Sequence, residues 1–281
     1  MKESTLMVTA ADVKALREKT GLPLMDCKRA LTEANGDAEA AVQLLRERGA
    51  KLNRDRADRV TEFGRFGLYF NQDPGAGAIV ELKCESAPVT ANEDFIALAD
   101  GLAQQLATGP GADNADELLS QPSPTAPGST LREQKDALFN RIREVFNVGR
   151  ICRIDGPCAA YLHPGSTVHG VLLEGTGPDA SKLRDICMHV AALSPDCLTV
   201  DDLDQETVEN ERKILREAAL AEGKPENIVD KMVEGRIRNF YAERVLMEQP
   251  FVKSEKESVG KFAKSNGIEV KRFVHWILGE D

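Results

Sequence analysis

A thiol between an acid and a base is the first feature of this sequence that suggests chemistry, in Asp26-Cys27-Lys28. A nucleophilic cysteine needs a general base within hydrogen-bond reach, and the chain has no histidine before His163. Cys27 also lies three residues after Leu24 and four before Leu31, the spacing of one apolar helix face. This pattern predicts a protonated thiol buried in a small helical module.

A zinc site is the second possibility, because Cys152, Cys158, His163 and His169 follow the pattern C-x5-C-x4-H-x5-H. Structural zinc sites usually hold two cysteines about two to four residues apart on one turn. Here the cysteines fall in predicted strands on either side of a turn. We therefore expect no metal and no cofactor, with the His163 imidazole presented at the surface.

Other catalytic and nucleotide-binding motifs are absent from the sequence, among them G-x-x-x-x-G-K-[ST], G-x-S-x-G and H-E-x-x-H. The loop at 175–182 enters a helix and suggests a weak anion site, but an ordinary turn with a proline near the helix start explains it better. The sequence predicts no enzyme active site. A thiol- or zinc-dependent enzyme remains the alternative, as does a scaffold protein that binds through its N-terminal module alone.

The composition restricts the partners. The 281 residues include 46 acids and 36 bases, a net charge of −10, which disfavours nucleic acid and anionic membranes. No apolar run is long enough to span a membrane, and the N-terminus lacks the pattern of a signal peptide. The six cysteines are scattered, so we expect reduced thiols and a cytoplasmic protein.

Three short helices are predicted in the first fifty residues. Thr9 and Asp12 resemble a capping pair, Gly21 closes the first helix, and Gly49 closes the third. The charged stretch 51–60 follows as a linker or exposed helix. Period-two patterns around 66–84 then predict a β-hairpin, and Phe95 begins the apolar face of a long helix.

The same order of elements recurs later. The Pro-, Gly- and Ser-rich stretch 109–130 is predicted as a surface connector, and Thr130 and Glu133 form a capping box. Strand patterns at 151–174 precede another helix, which indicates a second, similar subdomain. Residues 205–247 show two charged helices reversed at Gly223-Lys-Pro225, and 269–277 alternate as a closing strand.

The expected fold is α+β. It comprises a three-helix module (1–50), a linker (51–60) and two antiparallel-sheet-plus-helix core subdomains with a projecting helical hairpin. The first core subdomain covers 61–147, the second covers 148–204 with 248–281, and the hairpin covers 205–247.

The chain resembles the bacterial elongation factor Ts family. The resemblance rests on "VKALREKTGLPLMDCKRALTEANGDAEAAVQLLRERG", on "MHVAALSP" with the hairpin and Glu248-Gln-Pro-Phe251, and on "GVLLEG" with Tyr161-Leu-His163. It implies that residues 1–50 form a ubiquitin-associated-like module and that residues 205–247 form a coiled-coil hairpin. It also implies a translation factor without catalytic chemistry that exchanges guanine nucleotide on the GTPase elongation factor Tu. The resemblance also implies partner-binding residues, namely Thr20, Gly21, Met25, Asp26, Ser86, Val89 and His163.

The sequence departs from the family at one motif. The family commonly carries Thr-Asp-Phe-Val after a Cys-Glu pair, and its Asp-Phe inserts into the GTPase. Here Cys84-Glu85 is followed by Ser86-Ala87-Pro88-Val89, so the acid and the aromatic are replaced. Asp94-Phe95, a few residues on, is predicted to belong to the following helix and not to supply the missing pair.

Overall fold

The computed structural model describes residues 8–73, 75–163, 168–223 and 225–280, apart from the side chain of Glu255. These residues form two compact units. The first contains the described chain up to Gly67 together with Val80–Cys152, and the second contains Leu68–Ile79 and Arg153–Glu280. The domain limits inferred from the sequence stay predictions.

Runs of helices and runs of short strands follow one another along the described chain, which gives the predicted α+β fold. The helices are α1 (Ala10–Thr20), α2 (Leu24–Glu33), α3 (Ala38–Arg54), α4 (Glu93–Thr108), α5 (Ala115–Leu119), α6 (Leu131–Ile142), α7 (Ala180–Leu193), α8 (Gln205–Ala221), α9 (Glu226–Arg244) and α10 (Val259–Ser265). The strands are β1 (Phe63–Asn71), β2 (Ala76–Cys84), β3 (Phe146–Ile154), β4 (Cys158–Leu162), β5 (His169–Thr176), β6 (Pro250–Phe251), β7 (Ser254–Ser258) and β8 (Glu269–Ile277). Two 3-10 helices cover Ala87–Ala91 and Val200–Asp202. The sheets have the orders β1-β2-β3, β4-β5-β8 and β6-β7.

Helices α1 to α3 pack around a small apolar core of their own. Thr9 and Asp12 form the predicted capping box, and Gly21 ends α1 in the left-handed region with φ of +68°. Val13, Cys27 and Leu31 are buried in this core. Leu24 was predicted on the same face but is 47% exposed, because it lies at the first turn of α2 beside solvent.

The predicted end of α3 at Gly49 is wrong, since the helix continues to Arg54. A Cβ atom added at Gly49 would collide with the Asn140 side chain of α6. Glycine is therefore required here for the close approach of two helices and not for a helix end. The stretch 51–60 accordingly begins as helix and continues as turns.

The core of the first unit forms around α4, whose predicted inner face is fully buried from Phe95 onward. Gly67 of β1 lies so close to α4 that a Cβ atom would collide with the carbonyl oxygen of Ala99. The predicted surface connector at 109–130 is also incorrect in part. It contains α5, whose Leu118 and Leu119 are buried, because these two leucines supply apolar surface to the same core.

The second unit packs α7 against the antiparallel sheet β4-β5-β8. The side chains that α7 turns toward the sheet are buried, namely Leu183, Ile186, Cys187 and Val190. His189 is buried as well, where its Nδ1 accepts from the Val252 backbone at 3.1 Å and its Nε2 lies 2.9 Å from Gln249 Oε1. The β6-β7 pair and α10 were not anticipated.

Helices α8 and α9 form the predicted antiparallel hairpin. Ala219, Val229 and Val233 make a small core between them. Arg212 pairs with Glu234, and Arg216 with Asp230, which connects the two helices by charge. In the described part of the chain, no helix is both long and apolar enough to cross a bilayer.

Candidate partner-binding site

Cys27 is a packing residue of the N-terminal helices. Its side chain has no exposed surface, and its Sγ donates to the Leu22 carbonyl at 3.8 Å. The Thr20 hydroxyl lies 3.7 Å from this sulfur and donates to the Leu16 carbonyl at 2.7 Å. Thr20 and Gly21 therefore shape the turn between α1 and α2, with the Gly21 N–H bonded to the Arg17 carbonyl at 2.7 Å.

Met25 and Asp26 occupy the start of α2 and have different environments. Met25 is 59% exposed and lies beside the exposed Leu24, so the two side chains present apolar surface. Asp26 is partly buried and accepts from two guanidinium groups, Arg29 at 2.6 Å and Arg143 at 2.7 Å. The second pair connects α2 to the end of α6, a long-range contact that the sequence did not reveal.

The loop at 86–91 is fixed at its beginning by the end of α6. The Ser86 backbone N–H donates to Glu144 Oε2 at 3.0 Å, and its hydroxyl donates to Glu144 Oε1 at 2.6 Å. The preceding residue, Glu85, accepts from the Val145 N–H at 2.7 Å and from Arg59 at 2.9 Å. Burial opposes ionisation of Glu85, but these hydrogen bonds and the nearby cations lower its pKa.

The loop presents only its tip to solvent. Val89 is buried, whereas Ala87 and Pro88 are exposed within a 3-10 turn. The Thr90 hydroxyl donates to the Ala87 carbonyl at 2.7 Å, and Arg65 donates to the Thr90 carbonyl at 3.1 Å. Ser86 and Val89 therefore hold the loop, and Ala87-Pro88 is the part available for contact.

The neighbouring Cys84 and Phe95 have structural roles. Burial, reinforced by the Glu144 carboxylate, raises the pKa of the Cys84 thiol to about 11. Its Sγ donates to the Ser86 carbonyl at 3.3 Å. Phe95 is completely buried in α4, and Asp94 pairs with Arg141 at 3.0 Å, so this Asp-Phe pair does not replace the missing motif.

His163, the remaining candidate, lies in the second unit just after β4. Its imidazole is exposed, and its Nδ1 lies 3.2 Å from the Tyr161 hydroxyl. The predicted turn that follows it, 164–167, lies outside the described residues. The surface position expected for His163 is therefore present.

The other residues of the zinc hypothesis make different contacts. Cys158 Sγ donates to the Gly156 carbonyl at 3.2 Å, and His169 Nδ1 lies 3.4 Å from His275 Nε2. Within the described ranges, no three or more His, Cys, Asp or Glu side chains converge on a metal position. At the loop 175–182, Asp179 caps α7 by accepting from Ser181, so a carboxylate of the chain already occupies this helix end.

Comparison with known proteins identifies the family of this chain. A family model described as Elongation factor TS matches residues 88–280. The elongation factor Ts of Aquifex aeolicus (strain VF5) is 39% identical over 287 residues, covering 98% of this chain and 99% of the relative. Those of Clostridium botulinum (strain Alaska E43 / Type E3) and Methylococcus capsulatus (strain ATCC 33009 / NCIMB 11132 / Bath) are each 41% identical over 98% of this chain, covering 94% and 93% of the relatives. The chain belongs to the elongation factor Ts family.

Proposed function

We propose that this chain is a cytoplasmic guanine-nucleotide exchange factor for elongation factor Tu. It binds the GDP form of the GTPase and promotes GDP release, so that GTP can replace it. Family membership over nearly the whole chain is the observation that carries this proposal, and the exposed loop tip at Ala87-Pro88, held at Ser86, supports it.

Exchange of this kind needs differential binding and no covalent step. A factor that binds the nucleotide-free GTPase more tightly than the GDP form weakens GDP binding by the same factor. Contacts that distort the magnesium and phosphate region of the partner are sufficient. Among the described residues, Cys27 is packed within a cluster of apolar side chains, which supports a role without catalytic chemistry.

The proposed contact residues divide by exposure. Met25, His163 and the tip Ala87-Pro88 are exposed and are proposed to contact the partner. Thr20, Ser86 and Val89 are partly or fully buried and are proposed to position those side chains. Gly21 is exposed, but it has no side chain and is proposed to act by shaping the end of α1. Asp26 has both roles, because its bonds to arginines fix the start of α2 next to Met25.

The N-terminal module is proposed to bind the GTP-binding domain of elongation factor Tu, and the α8-α9 hairpin is proposed to contact another domain of the same partner. Gel filtration tests the complex directly. Co-elution with nucleotide-free elongation factor Tu at micromolar concentration is expected, and excess GDP should weaken it. Separate elution of the two proteins in the absence of nucleotide would contradict the proposal.

A further inference from the structure

A basic pocket of about 700 Å³ lies in the first compact unit. Its cationic lining consists of Arg29, Arg48, Lys51, Arg56 and Arg143, and its carboxylates are Asp26 and Asp55. The chain as a whole carries a net charge of −10. The pocket therefore has the opposite sign to the molecule that contains it, which favours an anionic ligand.

Ion pairs inside the unit neutralise only part of this charge. Asp26 is shared between Arg29 and Arg143, and Arg48 pairs with Glu33, which lies outside the lining. Glu33 adds a third carboxylate to the five cationic groups. Glu85 also lies near Arg56 but is paired with Arg59, so a surplus of two positive charges remains.

Two of the cations have no carboxylate fixed against them. The Arg56 guanidinium donates to the Arg143 carbonyl at 2.8 Å, an uncharged partner. Among the residues that the structure describes, no carboxylate lies within ion-pairing distance of Lys51. Both groups are thus available to a bound anion, and an arginine offers paired donors that match a phosphate group.

The pocket also has an apolar part and an unsatisfied amide. Leu22 and Leu45 are nearly buried and line it together with Leu52. The Asn140 Oδ1 atom is buried, and no hydrogen-bond partner lies near it within the described chain. The same amide lies against Gly49, so it forms the wall of the pocket at the point where α3 approaches α6.

We propose that this pocket binds a phosphate ester with a planar or apolar body, of the nucleoside monophosphate class. A phosphate monoester carries about −1.5 to −2 charges near neutral pH, which matches the surplus of two. The leucines contact the organic body, which inorganic phosphate lacks. The volume falls within the roughly 300–1,000 Å³ typical of small-molecule sites.

The test uses the full chain without any GTPase, so its result is independent of the exchange activity. AMP and inorganic phosphate are titrated separately at low salt and followed by calorimetry and amide chemical shifts. We expect saturable AMP binding, weaker binding of inorganic phosphate, and chemical-shift changes confined to 22–56 and 140–143.

Lys51→Gln and Arg56→Gln should each weaken AMP binding about fivefold. The matched control, Lys231→Gln on α9, should leave it unchanged.

Three results would overturn the proposal. The first is the absence of saturable AMP binding to the unaltered chain. The second is an equal loss of affinity in Lys231→Gln, or shifts spread outside the pocket, since either indicates non-specific charge attraction. The third is binding of a glutamate-rich peptide without binding of AMP, which would assign the pocket to an acidic protein segment. Because the shift map needs no variant, the test stands even if Arg56→Gln does not fold.

Discussion

Ser86 is held by Glu144 through both of its donors, the backbone N–H at 3.0 Å and the hydroxyl at 2.6 Å. The residue before Glu144, Arg143, pairs with Asp26 of the N-terminal module at 2.7 Å. Two consecutive residues after α6 thus fix two regions that are separated in sequence. Arg143 reaches this position in the left-handed region, with φ of +67°, as the C-cap of the helix.

Ser86→Ala should loosen the loop without unfolding the first unit. The variant keeps the backbone bond but loses the hydroxyl bond to a carboxylate, worth about 1.5–3 kcal/mol. We expect at least about tenfold faster amide hydrogen exchange at Ala87 and at 89–91, since Pro88 has no amide hydrogen, and slower GDP release. Ser120→Ala is the matched control, because the Ser120 hydroxyl bonds only a local carbonyl, at Glu117. Unchanged hydrogen exchange in Ser86→Ala would show that the Glu144 contact does not order the loop.

Pro88→Gly tests the tip itself. The fixed φ of proline makes this loop easier to order on binding, but the tip has neither the acid nor the aromatic ring of the family motif. GDP release should therefore slow by less than about tenfold, near 1.4 kcal/mol of differential binding. Deletion of 1–50 or of 205–247 should cost more, because more contact area is lost. If Pro88→Gly abolished nucleotide exchange while the complex with the GTPase still formed, the Ala87-Pro88 tip would be the main contact that releases GDP.

Cys27→Ala should lower the stability of the N-terminal module by roughly 1 kcal/mol, through a small cavity beside Leu31. Hydrogen exchange of the α2 amides measures this change, and GDP release measured at low temperature should stay nearly unchanged. Complete loss of exchange activity in a folded Cys27→Ala chain would instead indicate a reactive thiol.

Acidification should destabilise the second unit through His189. Burial lowers the pKa of this imidazole below its ordinary 6.5, and the hydrogen bond to Gln249 offsets burial only in part. Below pH 6.5 His189 binds a proton in the unfolded chain but not in the folded unit. The free energy of unfolding therefore falls as the pH is lowered, until the pKa of His189 in the folded unit is reached. His275 shifts in the same direction, by burial and by the neighbouring His169.

Urea unfolding at pH 7.5 and 5.5 checks this expectation, with His189→Gln as the comparison. The variant should be less stable at pH 7.5 but should lose less stability on acidification. An equal pH dependence in both proteins would assign the effect to other groups.

The sequence predicted those features that depend on neighbouring residues. The capping box at Thr130, the inner face of α4 and the strand at 269–277 each depend on a short local pattern, and all three are present, although the burial of β8 does not alternate as predicted. The end of α3 was misjudged at Gly49, because the glycine is required by Asn140 of a distant helix. In the same way, the family motif predicted Asp26 as a partner-binding residue but not its contacts. Its ion pair with Arg143 joins residues 117 positions apart, and no local sequence pattern reveals such a contact.

Release of labelled GDP from the elongation factor Tu of the same organism tests the central claim most directly. We expect addition of this chain to accelerate release in proportion to its concentration until the GTPase is saturated, with Ser86→Ala less effective and Ser120→Ala fully effective. A release rate that remains at the spontaneous value, in the presence of excess folded chain, would contradict the assignment as an exchange factor.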